Sequence, residues 1–94
     1  RLSEAVQESF NSITVDSDTS TSDTLMMFAT GKESFPCITS KTDPRYEVFS
    51  KQLRALLHEL ALQVVCDGEG ARHLIEVHVI GATTDNTAKI IALS

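Results

Sequence analysis

The chain has 94 residues, of which 41% are hydrophobic and 22% charged, proportions typical of a globular domain. Its net charge of −5 argues against a nucleic-acid partner or an anionic membrane surface, because neither attracts an acidic protein. No apolar run approaches the roughly 20 residues that a membrane-spanning helix needs. The length predicts one small domain over residues 1–94.

The N-terminal part alternates between helical and extended patterns. Apolar residues at helical spacing predict an amphipathic helix over residues 2–10. Three β-forming residues predict a strand at 12–15. Residues 16–23 contain only Asp, Ser and Thr, whose short side chains favour a loop. Residues 24–30 predict a buried strand stopped by Gly31, although the length of this run also permits a short helix.

A long helix follows a loop at residues 32–43. Asp43 as N-cap and Pro44 at the first helical position mark its start. Apolar residues on one face and charged residues on the other continue the pattern over residues 44–66. Gly68 is expected to end this helix.

The C-terminal part combines a strand pattern with a helix pattern. Residues 74–80 alternate in the manner of a strand, which Gly81 closes. Asp85 or Asn86 is predicted to cap a last helix that runs to the end of the chain. The element order α, β, β, α, β, α predicts an α/β fold of the α+β two-layer sandwich type, with helices packed on a small, mainly antiparallel sheet.

The two cysteines indicate the cellular compartment, and the chain ends indicate whether the protein is a fragment. Cys37 and Cys66 are too far apart in sequence for a C-x-x-C metal or redox pair. Two unpaired thiols fit a reducing cytoplasm, so no disulfide and a cytoplasmic location are expected. The chain begins at Arg1 without a methionine and ends at Ser94 inside a helical pattern, so we expect a fragment of a larger protein.

The acidic loop at residues 16–23 partly matches a calcium-binding motif. Asp16, Asp18 and Ser20 match the first, third and fifth ligand positions of an EF-hand. However, Thr21 replaces the required glycine and Met27 replaces the required glutamate. We therefore predict a hydrogen-bonded turn and no calcium site.

The histidines do not suggest a zinc site. His73 and His78 would point to opposite faces of a strand, and His58 lies on the polar side of the long helix. Glu76 and His78 share a face and can pair. We predict no metal site.

A glycine-flanked carboxylate is the remaining candidate. Asp67-Gly68-Glu69-Gly70-Ala71 lies between the long helix and the last strand pattern. Glycine lets other groups approach the backbone closely, and a carboxylate that acts on a substrate must be both reachable and fixed. Local physics alone favours an exposed turn glutamate.

Two motifs in the chain resemble one family. The first comprises Ser9-Phe10-Asn11, Ile13-Thr14-Val15-Asp16, Asp18-Thr19-Ser20-Thr21 and Asp23-Thr24. The second comprises Asp67-Gly68-Glu69-Gly70-Ala71 followed by Leu74-Ile75-Glu76-Val77. Their order and separation resemble those of the bifunctional ornithine acetyltransferase/glutamate N-acetyltransferases of arginine biosynthesis.

The resemblance implies a self-cleaving precursor. Such proteins divide into α and β chains, and the threonine exposed at the new N-terminus of β carries an acetyl group from N-acetylornithine to glutamate. Some members also use acetyl-CoA, as a substrate. No cofactor or metal takes part, and the intact assembly is commonly two α and two β chains. This chain would be part of the β chain, with the α chain as its partner.

The resemblance also assigns roles to individual residues. The threonine nucleophile would lie upstream of Arg1, so the fragment is expected to be inactive alone. Glu69 matches a residue of the substrate site, where it would hold the amino end of the substrate or assist proton transfer. Asp18 and Thr19 are weaker candidates that would shape the floor of the site. Ser17 stands where the family usually has glycine, and a positive φ there would add strain of about 1 kcal/mol.

Two other functions compete with this one. The first is an N-terminal-nucleophile hydrolase similar to self-cleaving aminopeptidases, in which water replaces glutamate as the acceptor. The second is a noncatalytic interaction module. The Gly68-Glu69-Gly70 motif favours the transferase.

Overall fold

The regular structure within the described residues is entirely helical. A computed structural model describes residues 2–19 and 22–94. It contains helix α1 (Leu2–Gln7), a 3-10 turn (Phe10–Ser12), helix α2 (Pro44–Cys66) and helix α3 (Asp85–Leu93). Helix α2 is the longest, with 23 residues.

The start of α2 confirms the predicted cap. The Arg45 backbone N–H donates to Asp43 Oδ1 at 2.9 Å, and the Arg45 guanidinium forms an ion pair with the same carboxylate. This side-chain hydrogen bond from Arg45 holds the pKa of Asp43 below its usual value. Arg45 Nη1 also donates to Pro36 O at 2.9 Å, which ties the preceding loop to the helix start. The predicted bounds of this helix, 44–66, are confirmed.

Helix α1 is shorter than the predicted 2–10 because serine hydroxyls interrupt its end. Ser9 Oγ donates to Ala5 O at 2.8 Å, and Ser12 Oγ donates to Gln7 O at 2.8 Å. These side chains satisfy carbonyls that a continuing helix would use. The chain then turns through Phe10–Ser12.

A small core joins α1 to α2. The buried members are Ala5, Leu53 and Leu57, and the partly buried side chains packed against them are Leu2, Val6, Phe10 and Leu25. Ala61 is also buried on α2.

Thr84 caps α3, so the prediction of Asp85 or Asn86 was wrong. Thr84 has extended backbone and its Oγ1 accepts from the Thr87 N–H at 3.1 Å. Asp85 instead occupies the first turn, where the helix dipole favours a carboxylate. The cap therefore lies one residue before Asp85.

The α/β prediction, with its small antiparallel sheet, is wrong for the described residues. The segments 12–15, 24–30 and 74–80 form no strand in the part of the chain that the structure covers. A strand requires a neighbouring backbone as well as β-forming side chains, and β-propensity reflects the fit to a half-buried pleated surface. Here the large apolar side chains face outward, with Phe28 82%, Ile75 81% and Ile80 92% exposed.

The chain is more open than a closed domain of its length. Its radius of gyration is 16.1 Å, whereas a compact domain of this size has about 12 Å. A cavity of about 450 Å³ is lined by α2, α3 and the segment that includes Leu74 and Val79. None of the helices in residues 2–19 and 22–94 is long and apolar enough to cross a membrane.

Candidate functional site

Glu69 occupies a tight turn at the C-terminal end of α2. The Gly68 N–H donates to Val65 O at 3.2 Å, and the Ala71 N–H donates to Gly68 O at 2.9 Å. Gly70 has φ of 77°, which matches the third residue of a type II turn and suits glycine. We call residues 68–71 the Glu69 turn. It fixes the backbone on both sides of Glu69 and leaves the side chain exposed.

The α2 side of this turn carries negative charge, while Arg72 follows the turn directly in sequence. The last turn of α2 contains no basic residue, and Asp67 follows directly as the C-cap. The C-terminal end of a helix carries partial negative charge from its unpaired carbonyls. Within residues 2–19 and 22–94, the Glu69 carboxylate makes no hydrogen bond or ion pair. The turn can therefore attract a cationic group and present a free acceptor to it.

The first motif forms a loop that is held by its own side chains. The Ser17 N–H donates to Thr14 Oγ1 at 2.9 Å, and the Asp18 N–H donates to Asp16 Oδ1 at 3.0 Å. We call residues 14–19 the Asp loop. The predicted hydrogen-bonded turn is present in this part of the acidic run, while Ser20 and Thr21 lie outside the described residues.

Ser17 has the backbone conformation that its position suggested. Its φ is 75°, and it is the one non-glycine residue with positive φ in the described parts of the chain. L-residues reach this region at a cost of about 1 kcal/mol or more, which glycine avoids. The strain anticipated for serine at this position is therefore present.

Val15 brings the two motifs together. A Cβ added to Gly68 would lie 3.0 Å from Val15 Cγ1 and 3.2 Å from Val15 Cγ2. The glycine thus allows the valine side chain to lie directly on the backbone that precedes Glu69. Sequence reasoning missed Val15, because its β-branched side chain indicated a strand. The signal in the sequence was Gly68 itself, because a glycine at a helix end can mark a close approach by another part of the chain.

The weaker candidates lie further along the Asp loop. Asp18 and Thr19 are both exposed. No hydrogen bond or ion pair in residues 2–19 and 22–94 joins either side chain to Glu69. The structure thus brings the Asp loop to the Glu69 turn through Val15 and not through these polar side chains.

The sequence also predicted a Glu76–His78 pair and unpaired cysteines. His78 Nε2 lies 3.1 Å from Glu76 Oε1, so the predicted pair is confirmed, and both side chains are exposed. Cys37 and Cys66 are free and exposed. Within the described residues, no group of three or more His, Cys, Asp or Glu side chains could hold a metal ion.

These features define a helical segment in which two motif-bearing loops meet beside a glycine-flanked carboxylate. The ArgJ family model matches residues 1–94. The chain therefore belongs to the ArgJ family, and the resemblance indicated by its two motifs is confirmed.

Several relatives share the name arginine biosynthesis bifunctional protein ArgJ. The chain is 84% identical over 95 residues to the protein of that name from Bartonella quintana. It is 57% identical over 96 residues to those from Brucella suis and Agrobacterium fabrum. Each match covers 99% of this chain and 23% of the relative, so the chain spans about a quarter of their length. No solved structure matches the chain.

Proposed function

We propose that these residues belong to the β chain of an acetyltransferase of arginine biosynthesis. The enzyme transfers an acetyl group from N-acetylornithine to glutamate through a threonine nucleophile that lies outside this segment. Membership of the ArgJ family and the names of the relatives support this proposal. The segment supplies one wall of the substrate site and not the nucleophile.

Glu69 is the residue that we assign to the substrate. The observation that carries the assignment is its place in the Glu69 turn, exposed and unpaired at the negative end of α2. N-acetylornithine carries a side-chain ammonium, and a free carboxylate beside helix carbonyls is complementary to that charge. Glu69 therefore holds the ammonium while the acetyl group faces the nucleophile. Asp18 and Thr19 are weaker candidates, to which we assign the floor of the site.

Further parts of the proposal follow from the family. The word "bifunctional" in the relatives' names supports a second activity, which we assign to glutamate acetylation from acetyl-CoA. The partner of this segment is the α chain of the same precursor, in an assembly of two α and two β chains in the cytoplasm. The exposed apolar side chains around Phe28 and Ile75 are consistent with coverage by other parts of that assembly.

Steady-state kinetics of the intact protein test the role of Glu69. Glu69→Ala should raise KM for N-acetylornithine and lower kcat/KM by at least about tenfold, or 1.4 kcal/mol. Glu69→Gln keeps the size but loses the charge, so it should show most of this loss. Glu59→Gln is the matched control, because Glu59 is an exposed carboxylate on α2 away from the turn.

The same assay separates the competing functions. Formation of N-acetylglutamate that requires both substrates supports the transferase. Release of acetate from N-acetylornithine without any dependence on glutamate would instead indicate a hydrolase. Wild-type kinetics for Glu69→Ala would remove Glu69 from the site.

A further inference from the structure

The contact between Val15 and Gly68 links the two motifs at the residue next to Glu69. Val15 Cγ1 and Cγ2 lie over Gly68 so closely that a Cβ there would come within 3.0 and 3.2 Å of them. Gly68 O then accepts the hydrogen bond that closes the Glu69 turn, at 2.9 Å from Ala71 N. A displacement of Gly68 would therefore change the turn and the direction of Glu69.

The backbone around Val15 is itself held in place. Val15 lies between Thr14 and Ser17, and the Ser17 N–H donates to Thr14 Oγ1 at 2.9 Å. Ser17 completes this turn with φ of 75°. Ile13, just before it, lines the cavity beside Leu62 and Val65 of α2. Val15 is thus presented to Gly68 by a closed turn on one side and by the half-buried Ile13 on the other.

We propose that Val15 is a positioning residue that sets the direction of Glu69 through Gly68. This inference rests on the proposed role of Glu69 in substrate binding. Val15 is 56% exposed, so little of its side chain serves the core. Its methyl groups instead restrict the backbone from which the carboxylate projects. A small misplacement of a substrate-holding group is enough to reduce kcat/KM substantially.

Val15→Ala in the intact protein should lower kcat/KM for N-acetylornithine by about fivefold to tenfold, mainly through KM. The thermal midpoint should change little, because the removed methyl groups are half exposed. Val15→Thr keeps the branched shape in contact with Gly68, and the exposure of this side chain lets the hydroxyl reach water. It should therefore restore wild-type kinetics.

A double-mutant cycle distinguishes positioning from a general structural effect. If Val15 acts through Glu69, Val15→Ala should cause no further loss of activity in a Glu69→Ala background. Equal fold losses in both backgrounds would overturn the inference, as would a loss in Val15→Thr as large as that in Val15→Ala. Activity lost in Glu69→Ala but retained in Val15→Ala would overturn the inference about Val15 and leave the proposed role of Glu69 intact. Full activity in Glu69→Ala would overturn both the inference and the proposed role of Glu69.

Discussion

Lys89 of α3 donates from Nζ to Gln7 O at the end of α1, over a distance of 2.7 Å. A second, longer contact of 3.3 Å joins the same ammonium to Gln7 Oε1. The carbonyls at the end of a helix lack intrahelical partners and carry partial negative charge. The lysine therefore satisfies one of these carbonyls and joins helices from opposite ends of the sequence.

Replacement of Lys89 should weaken this connection. Lys89→Ala removes a charged donor from a helix terminus, so the free energy of unfolding of the intact protein should fall by about 1 kcal/mol. Lys51→Ala on α2 is the matched control, because it removes the same charge from an exposed helical position. Chemical denaturation of both variants gives the comparison. An equal decrease in the two would assign the effect to the loss of charge and not to the contact with Gln7.

Ser17 offers a stabilising substitution. Because its φ is 75°, Ser17→Gly should remove backbone strain and raise the free energy of unfolding by about 1 kcal/mol, less the entropy that glycine adds to the unfolded chain. The N–H donated to Thr14 Oγ1 is unaffected by the change. Ser50→Gly inside α2 should lower the free energy of unfolding instead, because glycine is unfavourable in a helix interior. Destabilisation of both variants would show that Ser17 makes a favourable side-chain contact that outweighs its strain.

The helices were predictable because their signals are local. Asp43 and Pro44 are adjacent in sequence, and together they determine the start of α2 through one side-chain bond and one favourable φ. Thr84 also acts within its own turn, but the neighbouring Asp85 and Asn86 are equally good caps by type. The position of that cap depended on which residue adopted extended backbone, a choice that the sequence pattern left open.

The strand predictions failed because strand pairing depends on contacts between distant parts of the chain. The alternation at residues 74–80 shows that its side chains could fit a pleated surface, but no described segment supplies the neighbouring backbone. The candidate site also combines local features, which the sequence predicts, with a long-range contact, which it does not. The turn at Glu69 and the strain at Ser17 follow from nearby glycines and from a motif position. The contact between Val15 and Gly68 joins distant parts of the chain, so only the structure reveals it.

The cap of α2 gives a prediction for acid stability. The hydrogen bond from the Arg45 side chain lowers the pKa of Asp43 below its usual value in the folded protein. A lowered folded pKa contributes stability above the unfolded pKa, and this stability is lost as the pH falls through the folded value. Asp43→Asn should therefore be less stable than the wild type at pH 7, and the difference should shrink at a pH well below 4.

Denaturation at neutral and acidic pH measures this difference directly. Asparagine still accepts at an N-cap, so the charge-dependent part is isolated from the cap itself. In an Arg45→Met background, Asp43→Asn should lose most of its pH dependence, because the partner that lowers the pKa is gone. A pH dependence that persists in that background would assign it to another charge.

Gly70 allows the geometry of the Glu69 turn to be tested apart from steric contacts. Its φ is 77°, and a Cβ added there would meet no atom within 4 Å. Gly70→Ala should therefore cost about 1 kcal/mol of stability from backbone strain alone, and Gly70→Asn less, because asparagine tolerates positive φ better. If the strain opens the turn, Glu69 changes direction and KM for N-acetylornithine rises. Gly31 is the matched control, with φ of 64° and equally open surroundings. Gly31→Ala should show a similar stability loss without the change in KM, and an equal change in KM for both would contradict a specific role for the Glu69 turn.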